Sequence, residues 1–154
     1  MIRVGIDPGI SGAVVVLEDD QPIEWFRMPT MMVGKANRVN AFDLATKLSW
    51  ILIDKKDVTV YIENVGAMPG QGVTSMFSFG HSAGTVWGVA GALGHPVKFI
   101  APGVWKKRAG LTGMDKDSAR SAAILRWPSC WKELALKGKG QAYADAALLA
   151  VYGD

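Results

Sequence analysis

Apolar and polar positions change period several times along the chain, and each change marks an element. Ile2 to Asp7 alternates and stops at Pro8-Gly9, and Ser11 to Leu17 is β-branched and apolar, the pattern of a central strand. Asp19-Asp20 turns the chain, and Pro22 to Arg27 continues it as a third strand. These three read as an antiparallel meander. Met28 to Val39, with Pro29 and Gly34, reads as a loop. Asn40 is placed to cap a helix in which Phe42, Leu44, Ala45, Leu48, Ile51 and Leu52 follow helical spacing. Val58 to Ile62 is a short buried strand that ends at Glu63.

Gly66 to Gly72 is a Gly/Pro loop, and Val73 to Leu93 reads as one long helix. Gly80, Gly84, Gly88 and Gly91 recur along it at three- or four-residue spacing. Glycine costs helix propensity, so the glycine side is expected to pack closely on another element. Val97 to Ala101 is a strand stopped by Pro102, which opens a short helix to Arg108. A further helix starts at Asp115 or Asp117 and ends before Pro128. Lys137-Gly138-Lys139-Gly140 reads as a flexible link, and Tyr143 to Tyr152 as a final amphipathic helix with Asp145 in its first turn. A meander feeding two right-handed crossovers predicts an α/β protein: a five-stranded mixed sheet with helices on both faces, the ribonuclease H-like arrangement. With no repeat and no dividing linker, residues 1–154 are expected to form a single domain.

Composition narrows the function classes. Hydrophobic residues make up 49% and charged residues 20%, which excludes a disordered chain. No apolar run reaches the roughly eighteen residues that span a bilayer, and the first residues read as a strand rather than a signal peptide. Cys130 is the only cysteine, so neither an internal disulfide nor a thiolate zinc cluster can form, and His81 and His95 lack a second ligand at metal spacing. A reducing, cytoplasmic setting is the expectation. The net charge of +3 is unevenly spread: Lys98 to Lys139 carries ten bases and three acids, and the segments on either side are each net −2. A cationic stretch between acidic ones suits a polyanion held near a metal site, though charge alone suits a solvated surface equally well.

Three carboxylates stand out. Asp7 and Glu63 end the first and fourth strands, which are neighbours in a sheet of this order, so both emerge at the edge where α/β proteins place their sites. Asp145 lies among small apolar residues, an expensive place for a carboxylate unless it pairs or binds metal. Taken singly, Asp7 suits a turn cap and Asp145 a helix N-terminal acid favoured by the dipole. Taken together, three acids at one point repel unless divalent cations join them, and hard oxygen ligands select Mg²⁺ or Mn²⁺ over zinc.

The motifs also resemble a known family. Gly5-Ile6-Asp7-Pro8-Gly9-Ile10-Ser11-Gly12-Ala13 resembles the first motif of the RuvC Holliday-junction resolvases, Tyr61-Ile62-Glu63 their second acidic strand, and Ala144-Asp145-Ala146-Ala147-Leu148-Leu149 their terminal acidic helix. Ala67 to Gly72, Ser75 to Gly80, Pro102 to Lys107 and Asp115-Lys116 are most similar to the compact RuvC-like nucleases of phages. The resemblance covers nearly the whole chain. It implies a homodimer that binds a four-way DNA junction and nicks two strands symmetrically, using two Mg²⁺ ions for which Mn²⁺ substitutes, in the cytoplasm of the host if the protein is phage-encoded.

By the same match, Asp7, Glu63 and Asp145 would hold the metals. Lys106 and Lys116 would bind phosphate and offset transition-state charge, and Lys107, Arg108 and Arg120 would add phosphate contacts. The chain departs from the family in two places. A fourth ligand, Asp or His, usually stands a few residues before the last acid; here Gly140, Gln141 and Ala142 occupy those places, and Gln141 offers only a neutral amide oxygen. Gly66 stands where cellular resolvases carry a base-wedging aromatic, which leaves Met68, Phe77 or Phe79 as substitutes, the phenylalanines having helical spacing that equally suits a core. Two other readings survive: a nuclease that cuts forks and flaps as well, and a junction-binding protein of weak activity. An ATP-binding protein of the actin and sugar-kinase type needs two such domains, and 154 residues is too short.

Overall fold

The computed structural model describes residues 1–154. Strands β1 (Ile2–Ile6), β2 (Ala13–Glu18), β3 (Gln21–Arg27), β6 (Val58–Glu63) and β7 (Val97–Ile100) form one sheet in the order β3-β2-β1-β6-β7. The meander β1-β2-β3 is antiparallel, and β1-β6 and β6-β7 pair in parallel. This is the predicted five-stranded mixed sheet.

Strand parity decides which residues meet which helices. Ile2, Val4, Ile6, Val14, Val16, Val58, Val60 and Ile62 point to one face, where α1 (Ala41–Leu52) supplies Leu44, Leu48 and Leu52 and α2 (Val73–Ala92) supplies Val86 and Ala90. The opposite parity, Val15, Leu17 and Tyr61, meets Trp105 of α3 (Pro102–Arg108), Ala119 and Ala123 of α4 (Ser118–Arg126), and the alanine-rich face of α6 (Lys139–Tyr152). Asp7 and Glu63 share the parity of Tyr61, so they face α6. As predicted, Asn40 caps α1, its side chain accepting from the Asp43 N–H at 3.1 Å. No helix is long and apolar enough to cross a membrane.

Four expectations are corrected. Residues 30–39 are not a loop but a hairpin, β4 (Thr30–Val33) paired antiparallel with β5 (Ala36–Val39) and separate from the main sheet. The supposed flexible link is partly helix: α6 begins at Lys139, and Gly140 is buried against the Leu134 backbone, where a side chain would not fit. Asp145 is therefore in the second turn of α6, not the first, beyond the strongest reach of the helix N-terminus. The glycine side of α2 is not packed: a methyl group at Gly80, Gly84, Gly88 or Gly91 would meet nothing within 4 Å. The side that packs is Ser82, Ala83, Val86 and Ala90, and the serine meets its own helix by donating to the Ser78 carbonyl at 3.0 Å. A 3-10 turn at Pro128–Cys130 and a short helix α5 (Trp131–Leu134) fill a stretch that carried no expectation.

Candidate active site

The parallel register sets Ile6 beside Ile62, so Asp7 and Glu63 leave adjacent strands at the same edge and on the same face. Gly5, two residues before Asp7, explains how α6 brings the third acid to them. A β-carbon on Gly5 would stand 1.9 Å from the carbonyl oxygen of Ala146. Only a missing side chain lets the α6 backbone lie this close to β1, and Asp145 is the residue before that carbonyl.

The three acids are charged neighbours with no basic partner at ion-pair distance. The chain has six ion pairs, and none uses Asp7, Glu63 or Asp145. Burial, then the charges of Glu63 and Asp145, push the Asp7 carboxyl up to about 6. Burial also lifts Asp145 to about 6, with Glu63 adding to the shift while the Gln141 amide and Lys106 oppose it. The acids are held instead by neutral donors. The Trp105 indole N–H donates to Glu63 Oε1 at 2.9 Å, the Gln141 amide N–H to Asp145 Oδ1 at 3.0 Å, and the Gly9 backbone N–H makes a long contact of 3.5 Å to Asp7 Oδ1. Neutral donors orient a carboxylate without cancelling its charge, which leaves the charge to attract a cation.

The oxygen-rich donor set suits a hard cation. Gln141 Oε1 is buried and has no hydrogen-bond partner, so a fourth oxygen beside Asp145 is unsatisfied. No three His, Cys, Asp or Glu side chains stand close enough to cage one ion by themselves. Water and phosphate oxygens therefore belong in any metal shell here, as is usual for Mg²⁺.

A pocket of about 250 Å³ opens beside Asp145, lined by Lys106, Lys116 and Gln141 among others. It brings together the two lysines singled out in the sequence and the last acid. The other basic candidates differ. Lys107 is exposed. Arg108 donates to the carbonyls of Tyr152 and Gly153, at 3.2 and 3.0 Å, and so closes the C-terminal end of α6. Arg120 pairs with Asp117 at 3.0 Å and reaches the Ala135 carbonyl, so its guanidinium is already engaged. Met68 and Phe77 are both 65% exposed and available, whereas Phe79 is half-buried.

Two residues of the site carried no signal of their own in the sequence. Trp105 was one of six tryptophans, and only the tertiary fold puts its N–H on Glu63. Arg27 donates to the carbonyls of Ser11 (2.7 Å) and Gly12 (3.2 Å), which stiffens the turn after Asp7 and places a cation near that acid.

No protein-family model matches the sequence, and no curated protein does. Among solved structures, RuvC of Thermus thermophilus in complex with a Holliday junction substrate is similar, with a TM-score of 0.59 and 17% identity over 99% of this chain and 92% of that one. A second Thermus thermophilus RuvC structure gives a TM-score of 0.58 and 16% identity over 99% and 94%. The fold is thus RuvC-like: an α/β, ribonuclease H-like sheet shared from end to end.

Proposed function

We propose that this chain is a divalent-metal-dependent endonuclease of the RuvC type, related to the compact phage nucleases, that binds four-way DNA junctions and nicks two strands symmetrically. The observation that supports it most is the set of three carboxylates without ion-pair partners, Asp7, Glu63 and Asp145, carried to one sheet edge by β1, β6 and α6 beside a lysine-lined pocket. Asp7, Glu63 and Asp145 would hold two Mg²⁺ or Mn²⁺ ions, with the Gln141 amide oxygen as a weak neutral ligand. Bound there, the ions would supply a water nucleophile at neutral pH and stabilise the leaving oxygen of a phosphodiester. Trp105 fixes the direction of Glu63. Lys106 and Lys116 hold the phosphate and offset its growing charge, and Lys107 extends that contact along the backbone. Arg108 and Arg120 reach phosphate only by giving up carbonyl and carboxylate partners, so they contribute less. Met68 or Phe77, both exposed on the segment that follows Glu63 in the chain, would unstack bases at the branch point.

Residues 1–154 act as one domain in this reading, and two copies form the working unit. The uncovered side of α2 is the proposed contact. From Asn64 to Val97 the chain has no Asp, Glu, Lys or Arg, and Trp87 (38%) is exposed beside open glycines. Interface cores are depleted in charge in this way. The neutral Gln141 keeps a second reading in play, a junction-binding protein whose metal site is too weak for turnover.

The test is a cleavage panel: a labelled four-way junction, a fork and a linear duplex, each in Mg²⁺, Mn²⁺ and EDTA, with the parent and Asp7→Asn. Paired nicks across the junction, lost in EDTA and in the variant, are expected. Equal cutting of forks makes the protein a general debranching nuclease. Tight junction binding with no metal-dependent cut establishes the binding protein.

A further inference from the structure

The β4–β5 ribbon is paired apart from the main sheet, and of its residues only Val39, the last of β5, is buried in the core. Both faces of β4 are exposed, with Met31 at 46%, Met32 at 62% and Val33 at 56%. Val33 pairs with Ala36 across a two-residue tip, Gly34-Lys35, and Gly34 takes a φ of 61° that suits glycine at the first position of such a turn. The tip lysine is exposed. A row of apolar side chains held in water needs an explanation, since a protein gains nothing from it unless something covers them.

Three anchors make the ribbon a fixed projection rather than a loose flap. At its base, the Met28 N–H donates to the Gly12 carbonyl at 3.0 Å and the Asn40 N–H to the Pro29 carbonyl at 2.8 Å. On its far strand, the Arg38 guanidinium donates to the Ser78 hydroxyl at 3.0 Å and lies over the exposed Phe77 ring at 5.7 Å. The base is therefore tied to the turn that follows Asp7, and the far strand to the first half of α2, which follows Glu63. The ribbon thus rises from the acidic edge on the α1/α2 side, while the lysine pocket lies on the α6 side.

Charge selects the occupant. From Trp25 to Phe42 there is no Asp or Glu, Lys35 at the tip makes no ion pair, and Arg27 and Arg38, though engaged, donate to neutral oxygens that leave their charge uncancelled. Each four-residue strand is about 13 Å long. A two-stranded ribbon of that size enters a DNA major groove, about 12 Å wide, with its polar backbone and basic tip near phosphate and its apolar side chains against base edges such as thymine methyls. We propose that the β4–β5 ribbon is a second DNA-contacting element, which lies in the groove of a duplex arm whose backbone is cut at the acids. The inference rests on the nuclease reading and adds to it a contact on the opposite side of the site from Lys106 and Lys116.

The test uses the full chain with Met31, Met32 and Lys35 replaced together by serine, three exposed positions that are not among the proposed metal ligands. Junction binding is followed by fluorescence anisotropy in EDTA over a range of salt. The expected result is at least a tenfold loss of affinity and a salt slope shallower by about one, the share of one phosphate contact. Unchanged affinity and slope overturn the ribbon while the parent's binding leaves the nuclease reading intact. A parent that binds no branched DNA overturns that reading and the ribbon with it. As a second measurement, a photoreactive benzophenone side chain at Met32 is expected to crosslink to a junction arm. Crosslinking only to another copy of the protein makes the ribbon a protein contact and refutes the proposal.

Discussion

Asp7→Asn is expected to stabilise the metal-free protein at neutral pH while abolishing cleavage. Asp7 in the folded chain sits at about 6 against an ordinary value of 3.8, raised first by burial and then by Glu63 and Asp145. A folded-state value above the unfolded one means that the native state binds more protons between those pH values. Stability therefore falls as pH rises through that window, and the penalty is complete above it. About 2 pKa units at roughly 1.4 kcal/mol each set a ceiling of about 3 kcal/mol. Asparagine has nearly the same shape, still accepts from Gly9 and never ionises, so about 1–3 kcal/mol should be recovered at pH 7.5. For a chain of this size that is a rise in Tm of about 3–10 °C. Below pH about 4, parent and variant should melt together. Thermal unfolding followed by circular dichroism in EDTA, at pH 7.5 and at pH 3.8, reads both. Excess Mg²⁺ should reverse the order by stabilising the parent more than the variant. A variant no more stable than the parent at pH 7.5, or equally more stable at both pH values, would refute the claim that burial and the neighbouring acids penalise the ionised Asp7.

Other outcomes follow from individual contacts. Gln141→Asp should tighten Mn²⁺ binding in calorimetry and raise the cleavage rate, and no gain over the parent would count against Gln141 as the weak ligand. Trp105→Phe keeps an aromatic ring in the core but removes the donor to Glu63, so it should cost about 1–3 kcal/mol in denaturant unfolding and weaken Mn²⁺ binding about 10- to 100-fold. Gly5→Ala drives a β-carbon to 1.9 Å from the Ala146 carbonyl and must push α6 off the sheet, with a loss of about 3 kcal/mol or more and of metal binding together. Gly84→Gln places a polar side chain on the open side of α2 and should convert a dimer to a monomer in sedimentation, with little change in Tm.

Much of the architecture was legible because it follows from local period. Alternation and turn residues placed β1, β2 and β3, and helical spacing with Asn40 placed α1. The parallel neighbours β1 and β6 then followed from connection rules, and with them the pairing of Asp7 with Glu63. The misses have physical causes. Thr30 to Val39 lacks alternation because β4 buries neither face, so a strand there leaves no period; its only mark is the Gly34-Lys35 tip. Gly138-Lys139-Gly140 has the composition of a linker, yet Gly140 is glycine because it is packed against Leu134. The glycines of α2 were read as a packed side, but the chain itself covers the face that carries Val86 and Ala90. The family resemblance put Arg108 and Arg120 on the DNA side, and a motif match has no view of the carbonyls that hold them. The Trp105–Glu63 contact joins residues 42 apart, beyond any local signal.

The central claim is that Asp7, Glu63 and Asp145 form a divalent-metal centre, and crystals grown with Mn²⁺ test it most directly. Anomalous scattering should place manganese between these carboxylates, within ligand distance of at least two of them, and the peak should vanish in Asp7→Asn. Manganese bound only elsewhere on the surface, or a peak that Asp7→Asn leaves unchanged, would contradict the account.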